Sequence, residues 1–215
     1  MASMDKKALY ALTYGLFVLT AKEGEKDNGC IVNTVQMLTS DPTRVVVFVN
    51  KSNYTEGMIS RTGIFNVSIL QKDTPFALFK HFGFQSGKDT DKFAGRVYPR
   101  SENGLYYIYE NANAYLSCKV VGEHDYGTHT LFVGEVLEGK VLSSQKSLSY
   151  EHYLAEVKPK PQTAAKPKAA EEKVSGQKTE KWVCKVCGYE HEGPLPDDFI
   201  CPWCKHPASD FERVQ

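Results

Sequence analysis

Four of the six cysteines stand near the end of the 215-residue chain as two Cys-x-x-Cys pairs, Cys184/Cys187 and Cys201/Cys204, with thirteen residues between the pairs. Each pair sets two thiolates on one tight turn. Two such turns facing each other build a tetrahedral sulfur cage, the coordination that holds zinc or iron. A module of this size has too small a core to fold unaided, so metal binding would supply the missing free energy. Trp182, Tyr189, Phe199, Trp203 and Phe211 flank the cysteines. They suit a dry shell around a redox iron, and they suit the core of a zinc ribbon as well. Cys30 and Cys118 lie in apolar runs far from these pairs and read as small buried residues.

The segments ahead of the cysteines divide by composition. Residues 155–181 hold seven Lys and four Glu, no aromatic residue, and three Pro that each follow a Lys. Such a stretch cannot bury enough apolar surface to order itself, so a flexible linker is expected. As a coil it would reach roughly 25–30 Å root-mean-square. Residues 182–215 carry Lys185, Lys205 and Arg213 against Glu190, Glu192, Asp197, Asp198, Asp210 and Glu212. That acidic balance suits a basic docking partner, and a solvated face equally.

Residues 1–154 read as a mainly β domain. Runs rich in Val, Ile, Phe, Tyr and Thr predict strands over 15–21, 30–38, 44–50, 64–70, 115–124 and 129–142, with "KDNG" and "TSDPT" as turns. Helices are expected over Tyr54–Thr62, after the cap Asn53, and over Pro75–Phe82. Many strands, few helices and no βαβ alternation argue for a closed antiparallel barrel. The chain has 26 basic and 26 acidic residues, which gives no electrostatic footprint for nucleic acid. No stretch reaches the length of a membrane span. Lys6-Lys7 and the apolar run after them imitate an export signal, but Tyr and Thr interrupt that run, and a thiolate site fits a reducing compartment. The location expected is cytoplasmic.

Two resemblances sharpen this reading. Cys184-Lys185-Val186-Cys187-Gly188-Tyr189, Cys201-Pro202-Trp203-Cys204 and Phe211 resemble rubredoxin over Trp182 to about Val214. The short loop between the pairs looks like the version in rubrerythrins, and Lys205 stands where rubredoxins usually have Gly. Iron is the expected metal, with zinc the alternative. Residues 29–70, 82–95 and 129–139 are similar to the flavin reductase-like family, split barrels that bind FMN, usually as dimers. The resemblance implies that Asn33, Thr34, Val35 and Gln36 line the flavin ring. It implies phosphate contacts from Asn50, Lys51, Ser52 and Thr55, from Ser86, Gly87 and Lys88, and from Lys92. Cations, hydroxyls and backbone N–H groups at a helix start are what a phosphate needs, although each lysine alone reads as a surface charge. His129 matches the position beside the nicotinamide. The chain lacks the G-x-G-x-x-G fingerprint, and in this family NAD(P)H lies over the flavin without it.

A flavin barrel fused to a rubredoxin resembles the high-molecular-weight rubredoxins of anaerobes. That resemblance implies electron flow from NAD(P)H through FMN to iron, then to a flavodiiron-type protein, in a homodimer. Two other readings stand beside it. One is a flavin-binding barrel whose tail is a zinc ribbon used for protein contact. The other is a free flavin reductase feeding an oxygenase, which leaves the tail without a purpose.

Overall fold

The computed structural model describes residues 5–159, 180–184, 189–201 and 207–214. The chain divides into two compact units, residues 1–158 and 159–215. The linker reading over 155–181 therefore falls mostly outside the described residues.

The first unit is built on seven strands: β1 (Phe17–Glu23), β2 (Lys26–Val32), β3 (Val35–Ser40), β4 (Thr43–Asn50), β5 (Ile64–Leu70), β6 (Ala112–Asp125) and β7 (His129–Val141). They form one antiparallel sheet in the order β2-β1-β5-β6-β7-β4-β3. Its two edges, β2 and β3, are consecutive in the chain and joined only by Asn33 and Thr34. Such a short link brings the edges together at one end, so the sheet must curl into a barrel with a seam.

Side-chain alternation fills the barrel. Val45, Val47 and Val49 of β4 and Phe132 of β7 join Phe65, Val67, Leu19, Ala21, Cys30 and Cys118 in one core. Met58 and Ile59 of α1 (Tyr54–Thr62) complete that core. Helix α1 stops at Gly63, whose left-handed backbone (φ 70°) lets its N–H reach Ile59 O at 2.8 Å. A second core lies outside β1 and β5, where Leu16, Val18 and Leu70 meet Phe79 and Phe82 of α2 (Phe76–Gly83), Phe93, Ile108, Leu148 and Tyr153. Strand β1 is covered on both faces, which explains its unbroken burial from Phe17 to Ala21.

Two expectations need correction. The run 30–38 is two strands, broken at Asn33-Thr34. "KDNG" is strand rather than turn: Lys26 to Gly29 pair with Glu23 to Thr20 of β1. Asp27 is held by a bidentate pair with Arg100, and Asn28 is buried, so these polar residues have partners that a turn would not provide. Asn53 does occupy the N-cap of α1, but its side chain makes no capping bond.

The second unit has three short antiparallel strands, β8 (Lys181–Cys184), β9 (Glu190–Glu192) and β10 (Phe211–Arg213), in the order β10-β8-β9. Cys184, Cys201 and Phe211 form its buried centre, with Trp182, Tyr189, Leu195 and Phe199 packed against it.

Close packing across the barrel gives a first test. A Cβ placed on Gly134 of β7 would stand 2.5 Å from the Phe65 ring and 3.1 Å from Cys118 Cβ. Gly134→Ala should destabilise the barrel by about 1–3 kcal/mol through overpacking, read as a lower midpoint in denaturant.

Candidate functional site

The C-terminal end of β4 gathers several of the residues singled out for the flavin. Asn50 stands opposite His129 in the β4–β7 ladder, so the two side chains share one face of the sheet. Asn50 also shapes the entry to α1, with Oδ1 accepting from Ser52 N at 2.8 Å and its carbonyl from Asn53 N at 2.9 Å. The N–H groups of Tyr54 and Thr55, in the first turn of α1, meet no acceptor among the described residues. That is the orphan-donor arrangement that favours an anion. Thr34 reaches the same end of β4, its hydroxyl donating to Phe48 O at 2.8 Å. Val35 pairs with Val47, whereas Gln36 is exposed on the edge strand.

Lys51 ties this corner to the β6–β7 hairpin. Its N–H donates to Thr128 O at 3.0 Å, and its ammonium meets Asp125 Oδ2 at 2.6 Å. The hydrogen bond and charge of each partner raise the Lys51 pKa and lower that of Asp125. Asp125 Oδ1 also accepts from Gly127 N, closing the turn before His129. Thr128 Oγ1 lies 2.9 Å from His129 Nδ1, and Thr130 donates to Glu56 of α1. Asp125, Thr128 and Glu56 were not singled out from sequence. Their roles depend on β7 lying beside β4, which no local pattern announces.

Thr55 and Lys92 do not face a ligand as expected. Thr55 is wholly buried; its hydroxyl accepts from Asn28 Nδ2 at 3.0 Å and contacts the Cys30 thiol. Lys92 is 3 % exposed, and its Nζ donates to Gly29 O at 2.7 Å and Phe82 O at 2.9 Å. Each side chain already has inward partners, so neither is free to meet a phosphate. Burial pushes the Lys92 pKa down and the Cys30 thiol up. Lys92 instead fastens the end of α2 to the free edge of β2. The Ser86–Lys88 loop lies nearby: Ser86 Oγ accepts from Lys88 N, Lys88 is exposed, and Gly87 packs on Asn28. Asn28 therefore brings this loop and the start of α1 together.

In the second unit, Cys184 closes β8 and its N–H donates to Tyr189 O at 2.8 Å. Cys184 and Cys201 are both buried, at 1 % and 0 % exposure. The rings of Tyr189, Phe199 and Phe211 pack edge-on and stacked, with centroids 5.4–6.4 Å apart. Cys187 and Cys204 lie outside the described residues, as does Trp203. Buried sulfur inside an aromatic shell fits a thiolate-bound metal, since a dry surround and hydrogen bonds tune such centres. On the barrel, the orphan N–H donors at α1 and the exposed Lys51 and Lys88 fit a flavin phosphate.

A split barrel joined to a thiolate module defines a class, the two-module redox proteins. Residues 9–155 match the flavin reductase like domain, and residues 182–212 match the rubrerythrin, rubredoxin-like domain. The chain is 36 % identical to the high molecular weight rubredoxin of Moorella thermoacetica, over 98 % of this chain and 100 % of that one. It is 39 % identical to the ferric-chelate reductase (NAD(P)H) of Archaeoglobus fulgidus, over 70 % of this chain and 89 % of that one. The barrel fold also matches the FMN-binding protein from Thermus thermophilus, with a TM-score of 0.61 and 22 % identity over 70 % of this chain and 91 % of that one. The chain belongs to the flavin reductase-like family and carries a C-terminal rubredoxin-like domain.

The placement of Lys92 can be checked by pH. An uncharged amine still has two hydrogens for its two carbonyls, so burial favours losing the proton. Because its folded pKa is lowered, the unfolded chain binds more protons between the folded value and the unfolded value near 10.4. Stability of the wild type should rise with pH through that window, relative to Lys92→Met. At neutral pH, Lys92→Met leaves two carbonyls without their donor and should cost about 1–3 kcal/mol. Denaturant unfolding from pH 7 to 10.5 measures both effects.

Proposed function

We propose that this oxidoreductase takes electrons from NAD(P)H on a flavin held by the barrel and passes them through a rubredoxin-type iron to a protein acceptor of the flavodiiron type. The observation that carries this reading is the joining of a flavin reductase like domain and a rubredoxin-like domain in one chain. When bound, FMN accepts a hydride and releases single electrons, and a four-cysteine iron carries one electron at a time.

The residues divide the task by chemistry. The N–H groups of Tyr54 and Thr55, with Lys51, Ser52 and the Ser86–Lys88 loop, hold the phosphate. Asn33, Thr34 and Val35, beside the end of β4, hold the ring. Thr128 fixes His129 Nδ1, which leaves Nε2 as the nitrogen to meet the nicotinamide nucleotide. Cys184, Cys187, Cys201 and Cys204 hold the iron, and the aromatic shell excludes water from it. A homodimer is supported by the exposed apolar side chains of β3, β4, β6 and β7, which include Met37, Leu38, Phe48, Val121, Leu137 and Val141. Apolar surface of that kind marks an interaction site. Among the described residues no helix is long and apolar enough to cross a membrane, and thiolate chemistry suits the cytoplasm.

The purified chain should show flavin absorption together with ferric–thiolate bands that bleach on anaerobic addition of NADH or NADPH. Flavin absorption alone, with zinc in the tail, would replace the relay by the zinc-ribbon reading. Cys184→Ser should abolish the iron bands and leave bound flavin in place, because the barrel has its own core.

Cutting the chain between Pro159 and Lys168 should leave nucleotide oxidation with an added dye intact. Delivery to the protein acceptor should collapse at low concentration and recover in part when free tail is added in excess, since a tether raises effective concentration. A cut barrel that reduces the acceptor as fast as the intact chain would overturn the relay.

A further inference from the structure

We propose that Asn28 is a positioning residue that joins the two halves of the flavin-phosphate cradle, and that Gly87 must be glycine for the joint to close. The inference rests on the placement of the phosphate given above, between the first turn of α1 and the Ser86–Lys88 loop. Those two segments are 31 residues apart in sequence from Thr55 to Ser86, and neither has a reason of its own to meet the other.

Asn28 supplies the reason. It sits in the edge strand β2 at 1 % exposure, where an amide side chain is costly to desolvate unless it is bonded. Its Nδ2 donates to Thr55 Oγ1 at 3.0 Å, fixing the first turn of α1 from beneath. Its Oδ1 has no hydrogen-bond donor among the described residues. Buried unsatisfied oxygens are rare and call for an explanation. Gly87 gives part of it, because its backbone presses on the amide. A Cβ there would stand 2.2 Å from Oδ1, 2.4 Å from Cγ and 2.5 Å from Nδ2.

One amide thus touches both walls. The N–H of Gly87, like those of Tyr54 and Thr55, meets no acceptor among the described residues. Backbone donors without partners thus stand in both of the segments that Asn28 touches, and backbone N–H groups of that kind are what a phosphate dianion recognises. Lys92 anchors the far end of the same loop region through Gly29 O and Phe82 O. Asn28 holds the near end. It carries no charge and needs none, because it acts through the segments it holds.

Riboflavin tests this, since it is FMN without the phosphate. Both flavins would be titrated into the full-length wild type, Asn28→Ala, Gly87→Ala and the double variant, following flavin fluorescence. The wild type should prefer FMN by at least roughly tenfold, the worth of one charge-assisted hydrogen bond. Asn28→Ala and Gly87→Ala should each lose most of that preference while riboflavin affinity stays within about twofold. The double variant should be no worse than Asn28→Ala, because the added Cβ then has no amide to strike.

A purely structural role would weaken both flavins together and leave their ratio unchanged; that result, or an unchanged FMN affinity in both single variants, overturns the proposal. Gly87→Ala lies in a loop outside the barrel core, so it reports even if Asn28→Ala folds poorly. A wild type that binds FMN and riboflavin equally would remove the phosphate site itself, and this role with it.

Discussion

The two-residue link between β2 and β3 is the constraint on which the first unit depends. Asn33 and Thr34 join the two edges of a seven-stranded sheet, so the sheet cannot lie flat. Once it curls, the valines of β4 and Phe132 of β7 face Leu19 and Val67 across a closed interior. Helix α1 then packs Met58 and Ile59 into that interior. The start of α1, the end of β4 and the β6–β7 hairpin are thereby fixed at one corner. His129, Asn50 and Lys51 meet there through the β4–β7 register, with Lys51 N bonded to Thr128 O.

Curling brings the edges together without pairing them along their length, and an unpaired edge exposes backbone groups. β2 meets this problem with buried polar side chains rather than another strand. Lys92 donates to Gly29 O and at the same time to Phe82 O at the end of α2. The latter contact also places a cation donor where the helix dipole is negative. Asn28 ties the same strand to α1. The polar groups that seal the barrel edge are therefore the groups that shape the candidate binding corner, so stability and binding share residues there.

The second unit follows a different physical rule. Its described core holds two cysteines and a handful of aromatic rings, too little apolar area to order a chain of this length without help. The exposed Lys181–Glu190 and Arg213–Glu180 pairs add little at a solvated surface. A thiolate-bound metal supplies what the core lacks. Folding and electron carriage would then rest on the same sulfur atoms, just as in the barrel Asn28 both ties the edge strand to α1 and touches the Gly87 loop.

The sequence by itself determined what local chemistry can encode. Two Cys-x-x-Cys pairs announce a metal module whatever surrounds them. β-branched runs announce strands, and α1 spans Tyr54–Thr62 as the pattern of those residues required. Separated motifs announced the flavin reductase-like barrel, and Thr34, Asn50, Lys51 and Ser52 lie at one end of β4. Tertiary structure decided the direction in which each side chain points. Lys92 and Thr55 carry the right chemistry for a phosphate, yet packing turns both inward, to backbone carbonyls and to Asn28. "KDNG" has turn composition, yet Asn28 and Asp27 lie in a strand, where they are bonded to partners more than 25 residues away, Thr55 and Arg100. A polar side chain carries no mark of whether its partner will be water or a distant residue. Only closure of the barrel chooses between them.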